Sequence, residues 1–418
     1  MYKKKSIFKK AIFLLSVLIL MLITLFVSTP MTKVVKAALT QEWDKTFGTT
    51  GLEQGQSVQQ TMDGGYILLG SDQLIKTDKN GNEQWTKILD GVTYSARQTT
   101  DGGYIIVGFK SGNTWLIKTD DNGNEQWDRS LTGILGYSVK QTTDGGYIIT
   151  GMIDVPNPGG PYNIDLLLIK TDTSGYEQWY KNYGKGGESY YIGDWGKDLQ
   201  QTTDGGYIIT GITGEWDAWG SLWLLKTDAN GNEQWNKSYE SGIGESVQQT
   251  TDDGYIIRGA VQWDSGISDL KLIKTDANGN EQWTKLIEDR GDGSAQQTTD
   301  GGYIVVGSKS GDIWLMKTDD NSDEQWNRTF GGTDSESGAM VQQTSDLGYR
   351  GYIIIGTTFS FGAGSGDIWL IKIKIIEDDD GDGLPNDWEI YGYDANGDGI
   401  IDVDLPAMGA DPQHEDIF

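Results

Sequence analysis

The sequence predicts an all-β chain, a seven-bladed β-propeller closed by its own N-terminal strand, and three observations predict it. A tyrosine phrase, Asp-Gly-Gly-Tyr-Ile and close variants, recurs at Tyr66, Tyr104, Tyr147, Tyr207, Tyr255, Tyr303 and Tyr349. A tryptophan phrase, Gly-Asn-Glu-Gln-Trp and close variants, recurs at Trp43, Trp85, Trp127, Trp179, Trp235, Trp283 and Trp326. The tyrosines lie 38 to 60 residues apart, around the period of a four-stranded blade. The third observation is phase. Trp43 precedes the first tyrosine phrase, while the last repeat ends at Trp369-Leu370-Ile371-Lys372-Ile373 with no tryptophan phrase after it. Residues 41–47 are therefore expected to pair with 368–374, completing the seventh blade and removing the open sheet edges.

The chain begins with Lys3, Lys4, Lys5, Lys9 and Lys10, then an uncharged apolar run from Ala11 to Val27, then Val35-Lys36-Ala37. That layout is a secretory signal peptide over residues 1–37, with cleavage after Ala37 and an extracellular mature chain. No further membrane segment is expected.

Within each repeat the apolar periodicity is that of short strands. In the copy at Ser246, residues 246–250 read as strand a, and Thr251-Asp252-Asp253-Gly254 as a turn. Tyr255-Ile256-Ile257 reads as strand b, being aromatic and β-branched. Leu270–Lys274 follows as strand c, Asp276–Asn280 as a hairpin with a primed Asn-Gly turn, and Glu281–Lys285 as strand d. Asp78-x-Asn80-x-Asn82 and its relatives read as these hairpins, because Glu83 stands where a calcium loop needs Gly.

Composition narrows the partners. The formal charge is −28, and removing residues 1–37 takes it to −35, since that segment holds seven Lys and no Asp or Glu. Nucleic acid is an unsuitable partner for such a surface. Cysteine is absent, which excludes disulfides and thiolate chemistry. Histidine occurs once, at His414, and no His-Glu-x-x-His helix is present, so His-assisted nucleophilic catalysis and that class of zinc peptidase are disfavoured.

The Asp-x-Asn-Gly-Asn-Glu-Gln-Trp phrase resembles the tryptophan-docking repeat of quinoprotein propellers, and the array over 41–374 resembles secreted bacterial and archaeal propellers of Asp-Gly-Gly-Tyr-Ile repeats. The resemblance implies tryptophans packed between blades. It carries no quinone site, because the vicinal cysteines of some such enzymes are missing and seven repeats replace the usual eight.

Blade topology places the short a–b and c–d turns on one face and the variable b–c and d–a connections on the other, where ligands usually bind. The longest insertions hold Asp154, Tyr162 and Asp165 (152–165), Tyr183, Glu188, Tyr190, Tyr191, Asp194 and Trp195 (180–198), Glu215, Trp216, Asp217 and Trp219 (212–221), and Trp263 and Asp264 (260–269). Aromatic plates beside carboxylates suit sugar rings. The expected function is recognition or adhesion, with a polysaccharide or a surface protein held by Tyr162, Tyr190, Tyr191, Trp195, Glu215, Trp216, Asp217, Trp219 and Trp263. The alternative is a carbohydrate-active enzyme, a glycoside hydrolase or lyase, drawing on pairs among Glu188, Asp194, Glu215 and Asp217.

Residues 377–418 form a separate segment after the propeller at 38–376. Asp378, Asp380, Asp382, Gly383, Leu384 and Glu389 match an EF-hand-type Ca2+ loop, with three side-chain oxygens, a glycine turn, a carbonyl and a bidentate acid. A second copy runs through Asp394, Asn396, Asp398, Gly399, Ile400 and Asp402, with Leu405 at the position of the bidentate acid. The short spacing between the loops resembles dockerin or thrombospondin type 3 modules, and Ca2+ is the expected cofactor.

Overall fold

The computed structural model describes residues 38–376 apart from 157–162, 185–192, 215–219, 263–267, 289–292 and 347–348. Thr40–Lys374 forms one compact unit. Its strands make seven four-stranded sheets, and no helix occurs among the described residues. Blade 3 is representative: strand a is Leu135–Gln141, b Tyr147–Val155, c Asn163–Thr171 and d Glu177–Tyr183, each antiparallel to the next.

The N-terminal strand Ala38–Phe47 lies beside Asp367–Ile376 as strand d of blade 7, as the phase of the repeats predicts. The side chains match those of the continuous hairpins. The Trp369 indole N–H donates to Asp44 at 2.9 Å across the closure, as Trp115 donates to Asp128 at 3.0 Å within blade 2.

The polar and glycine residues of the repeated phrase have structural tasks. In blade 4 the first glycine of the turn, Gly205, has φ 84°, a conformation that a side chain disfavours. The second, Gly206, leaves no room for a Cβ, which would stand 2.1 Å from the Thr227 carbonyl and 2.7 Å from Lys226 Nζ. That Lys226 ammonium is almost fully buried and donates to Asp204 at 2.8 Å, to the Thr227 carbonyl at 2.9 Å and to Gln234 at 3.1 Å. Asp204 in turn accepts from the Thr202 hydroxyl at 2.5 Å and the Gly206 N–H at 3.0 Å. Asp-Gly-Gly-Tyr and Ile-Lys-Thr-Asp are thus two halves of one ion pair, its lysine buried and its aspartate open to solvent on one side.

Tyrosine and tryptophan join neighbouring blades. Each strand-d tryptophan meets the buried strand-b tyrosine of the next blade, from 5.5 Å between ring centroids at Trp283–Tyr303 to 6.2 Å at Trp179–Tyr207. Trp43, brought in by the closing strand, meets Tyr66 at 5.8 Å. Aromatic pairs of this geometry add about 0.5–1.5 kcal/mol beyond their buried area.

Two expectations need correction. In blade 7 the partner of Trp326 is Tyr352, not Tyr349. Strands a and b there extend to Glu336–Asp346 and Tyr349–Thr358, which moves the turn outward, so that Arg350-Gly351-Tyr352 occupies the place of Gly-Gly-Tyr. The c–d hairpins are also not two-residue primed turns. The Gly231 N–H donates to the Asp228 carbonyl and the Asp228 N–H to the Asn232 carbonyl, and only Gly231 has positive φ, at 73°. This is a type I turn followed by a glycine bulge. The Asp228 carboxylate is occupied by the turn, accepting from the N–H groups of Asn230 and Asn232. The Asn232 side-chain amide donates to it as well, at 2.9 Å, and this bond foremost, with the two backbone bonds, holds its pKa below the usual carboxylate range.

Candidate functional site at the channel mouth

The seven a strands line the central channel with a register repeated from blade to blade. At one position the sequence offers Gln59, Arg97, Lys140, Gln200, Gln248, Gln296 and Gln342. The five glutamines tie blades together: each side-chain carbonyl accepts the backbone N–H of the next blade, at 2.7–2.9 Å, as in Gln98 to Gln59 and Gln249 to Gln200. Arg97 and Lys140 have no lone pair to offer. Two blade junctions therefore forgo a bond that the other five make.

Two residues earlier stand Ser57, Ser95, Ser138, Asp198, Ser246, Ser294 and Met340. Ser57, Ser246 and Ser294 accept the next blade's N–H through Oγ, at 3.0–3.3 Å. Asp198 keeps that role toward Val247 at 3.2 Å and adds a charge. The four exceptions, Arg97, Lys140, Asp198 and Met340, converge on one place. Lys140 Nζ lies 3.6 Å from Asp198, Ser138 donates to the same carboxylate at 2.8 Å, and Arg97 faces the Met340 sulfur at 3.8 Å.

This group forms a waist. On the side of the b–c and d–a connections it opens into a chamber of about 390 Å³, and on the side of the a–b turns into one of about 460 Å³. Arg97, Asp198, Ser246, Ser294 and Met340 line both. The Lys140 ammonium is pulled down to about 8 by burial and by Arg97, against the opposing pull of Asp198. Burial also lowers the pKa of Arg97, and Asp198 resists.

The upper chamber gains its side chains from a backbone irregularity. In five blades strand a carries a bulge, and the extra residue is Tyr94, Tyr137, Lys197, Glu245 or Ala339. All five line the chamber, as a bulge re-aims the side chain it frees. Tyr94 and Tyr137 meet edge to face at 5.1 Å, and Lys197 lies 4.4 Å over the Tyr137 ring. The Tyr137 hydroxyl is pushed up to about 12 by burial, then by Tyr94 and Glu245.

Most of the binding residues expected from the long insertions are not among the described residues. Tyr162, Tyr190, Tyr191, Glu215, Trp216, Asp217, Trp219 and Trp263 lie outside the described residues. So do Asp378, Asp380, Asp382, Leu384, Glu389, Asp394, Asn396, Asp398, Ile400 and Asp402. Trp195 is described, and it is not in a loop: it opens strand a of blade 4, half-buried and paired with Ile212. Asp154 and Asp165 lie on the b–c ladder of blade 3, paired with Ile164 and Ile153. The Tyr183 hydroxyl donates to the Gly231 carbonyl between blades. Asp194, one of the four carboxylates of the enzyme alternative, is fully buried and accepts the Gly214 N–H at 3.1 Å. The channel residues were present in the sequence as the only charged members of the Gln-Gln-Thr and Ser-Val-Gln columns, and aligning the repeats against one another finds them.

No protein-family model and no curated protein matches the chain. Among solved structures, a protein of unknown function from Bacteroides caccae is similar at a TM-score of 0.40 and 11% identity, over 67% of this chain and 94% of that one. The count of seven blades rests on the strand pairing of this chain itself.

Proposed function

We propose that this protein is an extracellular recognition module whose ligand, a polysaccharide or a surface protein, docks on the loop-rich face with the channel mouth at its centre. One observation carries the reading: where the repeat departs from its own pattern in strand a, the departures face the channel and not the blade cores. A spacer would gain from uniform glutamines. Residues varied at the expense of blade-to-blade hydrogen bonds are explained by contact with something else. The Tyr94 and Tyr137 rings, set edge to face, supply aromatic surface of the kind that sugar rings and protein side chains both use. A glycan array and a surface-protein pull-down with chain 38–418 test the proposal. The double variant Tyr94→Ala, Tyr137→Ala should lose the bound ligand by about tenfold or more while keeping the parent's melting temperature within a few degrees. Retained binding would move the site away from the mouth.

The reading includes export through residues 1–37 and calcium in the 378–405 segment. Support for calcium is the charge pattern: Asp378, Asp379, Asp380 and Asp382 repel one another until a cation with oxygen ligands sits among them. Calorimetric titration of chain 38–418 with Ca2+ should show binding near ~10⁻⁴–10⁻³ M, as in other extracellular modules. The heat should vanish from the first loop when Asp378 and Glu389 are both replaced by Ala. An unresponsive parent chain would remove calcium from the proposal.

A further inference from the structure

The recognition reading leaves the chemistry of the ligand open, and the waist narrows it. The Arg97 guanidinium, which carries five N–H donors, donates to the Ala96 carbonyl at 2.8 Å and otherwise faces the weakly accepting Met340 sulfur. Among the described residues no carboxylate lies within 4 Å of it. Lys140 shares Asp198 with Ser138 and the Val247 N–H, so that carboxylate is already heavily committed. Beside Arg97, the Ser95 hydroxyl is buried, lines the upper chamber and has no hydrogen-bond partner. Two cations against one carboxylate leave the waist with one net positive charge, inside a chain of net charge −28. Arg97 and Lys140 are half-buried and the Ser95 hydroxyl is buried, so these incompletely satisfied donors gain from an acceptor that takes the place of water.

We infer that the waist receives the carboxylate of an acidic sugar, held by Arg97, Lys140 and the Ser95 hydroxyl, with the sugar ring in the chamber above against Tyr94 and Tyr137. This rests on the recognition reading and specifies its ligand. A singly charged carboxylate balances the excess charge of the waist, which a doubly charged phosphate would overshoot. Its planar pair of oxygens matches the fork of a guanidinium. The chamber of about 390 Å³ has the size of a single sugar residue and its surrounding water. A free sugar acid and the terminal uronate of a polysaccharide offer the same group.

The repeat supplies the variant that tests this. Arg97→Gln with Lys140→Gln restores the residue used in the other five blades and the two missing blade-to-blade bonds, so the protein should fold at least as stably as the parent. Calorimetry with glucuronate, a glucuronate-terminated oligosaccharide, glucose and inorganic phosphate reads the site. The parent should bind both glucuronate probes, bind glucose and phosphate more weakly, and lose at least about tenfold in glucuronate affinity for each cation removed. Tighter binding of the oligosaccharide identifies a polysaccharide end, and equal binding a free acid. Glucuronate affinity unchanged in the glutamine variant, glucose binding as tightly as glucuronate, or no glucuronate binding at millimolar concentration would each overturn the inference. A neutral glycan or protein that still binds through Tyr94 and Tyr137 would leave the recognition reading standing without it.

Discussion

At the scale of single residues, the fold depends on six buried lysines, each facing the aspartate of its own turn. Lys76, Lys118, Lys170, Lys226, Lys274 and Lys317 pair with Asp63, Asp101, Asp144, Asp204, Asp252 and Asp300. Burial favours the neutral acid at each site. The hydrogen bonds from threonine, lysine and the glycine N–H, with the lysine charge, outweigh it and hold Asp144 and Asp204 at about 2. The other four are lowered in the same direction. A depressed carboxylate pKa stabilises the folded chain above its unfolded value of 3.8, and the benefit fades as pH falls from there toward about 2. Asp204→Asn should therefore destabilise the protein at neutral pH. Losing one partner of a buried pair costs about 3–5 kcal/mol, but Asp204 is 54% exposed and Lys226 keeps two other acceptors, so about 1–2 kcal/mol is expected after screening. Urea denaturation should show the gap closing as pH falls below 3.8. A gap that is independent of pH would mean the ion pair is not its source.

At the scale of the element, the c–d hairpins show how one atom limits a turn. Gly81, Gly123, Gly175, Gly231 and Gly279 sit at φ 73–78°. A Cβ on any of them would come within 2.4–2.8 Å of the tryptophan of the preceding blade. Blade 6 has Ser322 at this position, with φ 68° and its carbonyl accepting from Lys285 of the preceding blade. The left-handed conformation alone costs a residue with a Cβ roughly 1–2 kcal/mol. Ser322→Gly should raise stability by about 1 kcal/mol, and Gly279→Ser should lower it by at least as much. Thermal denaturation of the two variants measures both. A melting temperature lowered by Ser322→Gly would show that the serine makes a compensating contact.

At the scale of the whole molecule, seven near-identical blades make the protein its own reference. Where a repeat position serves packing, the seven copies agree: Tyr66 and its counterparts are all buried. Where the copies disagree in strand a, the disagreement lies on the channel and gathers opposite charges from blades 2, 3 and 4 at one level. That concentration is a property of the ring, since Lys140 and Asp198 are 58 residues apart in sequence and 3.6 Å apart in space.

The sequence by itself determined the number of blades, the four-strand pattern and the closure by residues 41–47. Each follows from local periodicity and from phase, which need no coordinates. It misplaced the seventh tyrosine because Tyr349 and Tyr352 both follow a glycine, and only the extended a–b ladder of blade 7 decides which one faces Trp326. It placed Trp195 in a loop because a long insertion precedes it, whereas pairing with Ile212 makes it the first residue of a strand. Aligning the repeats picks out the channel residues, but their convergence belonged to the tertiary structure. Arg97, Lys140 and Asp198 each look like a solvated charge in an alternating strand, and ring closure alone turns all three toward one axis, where their charges are felt together.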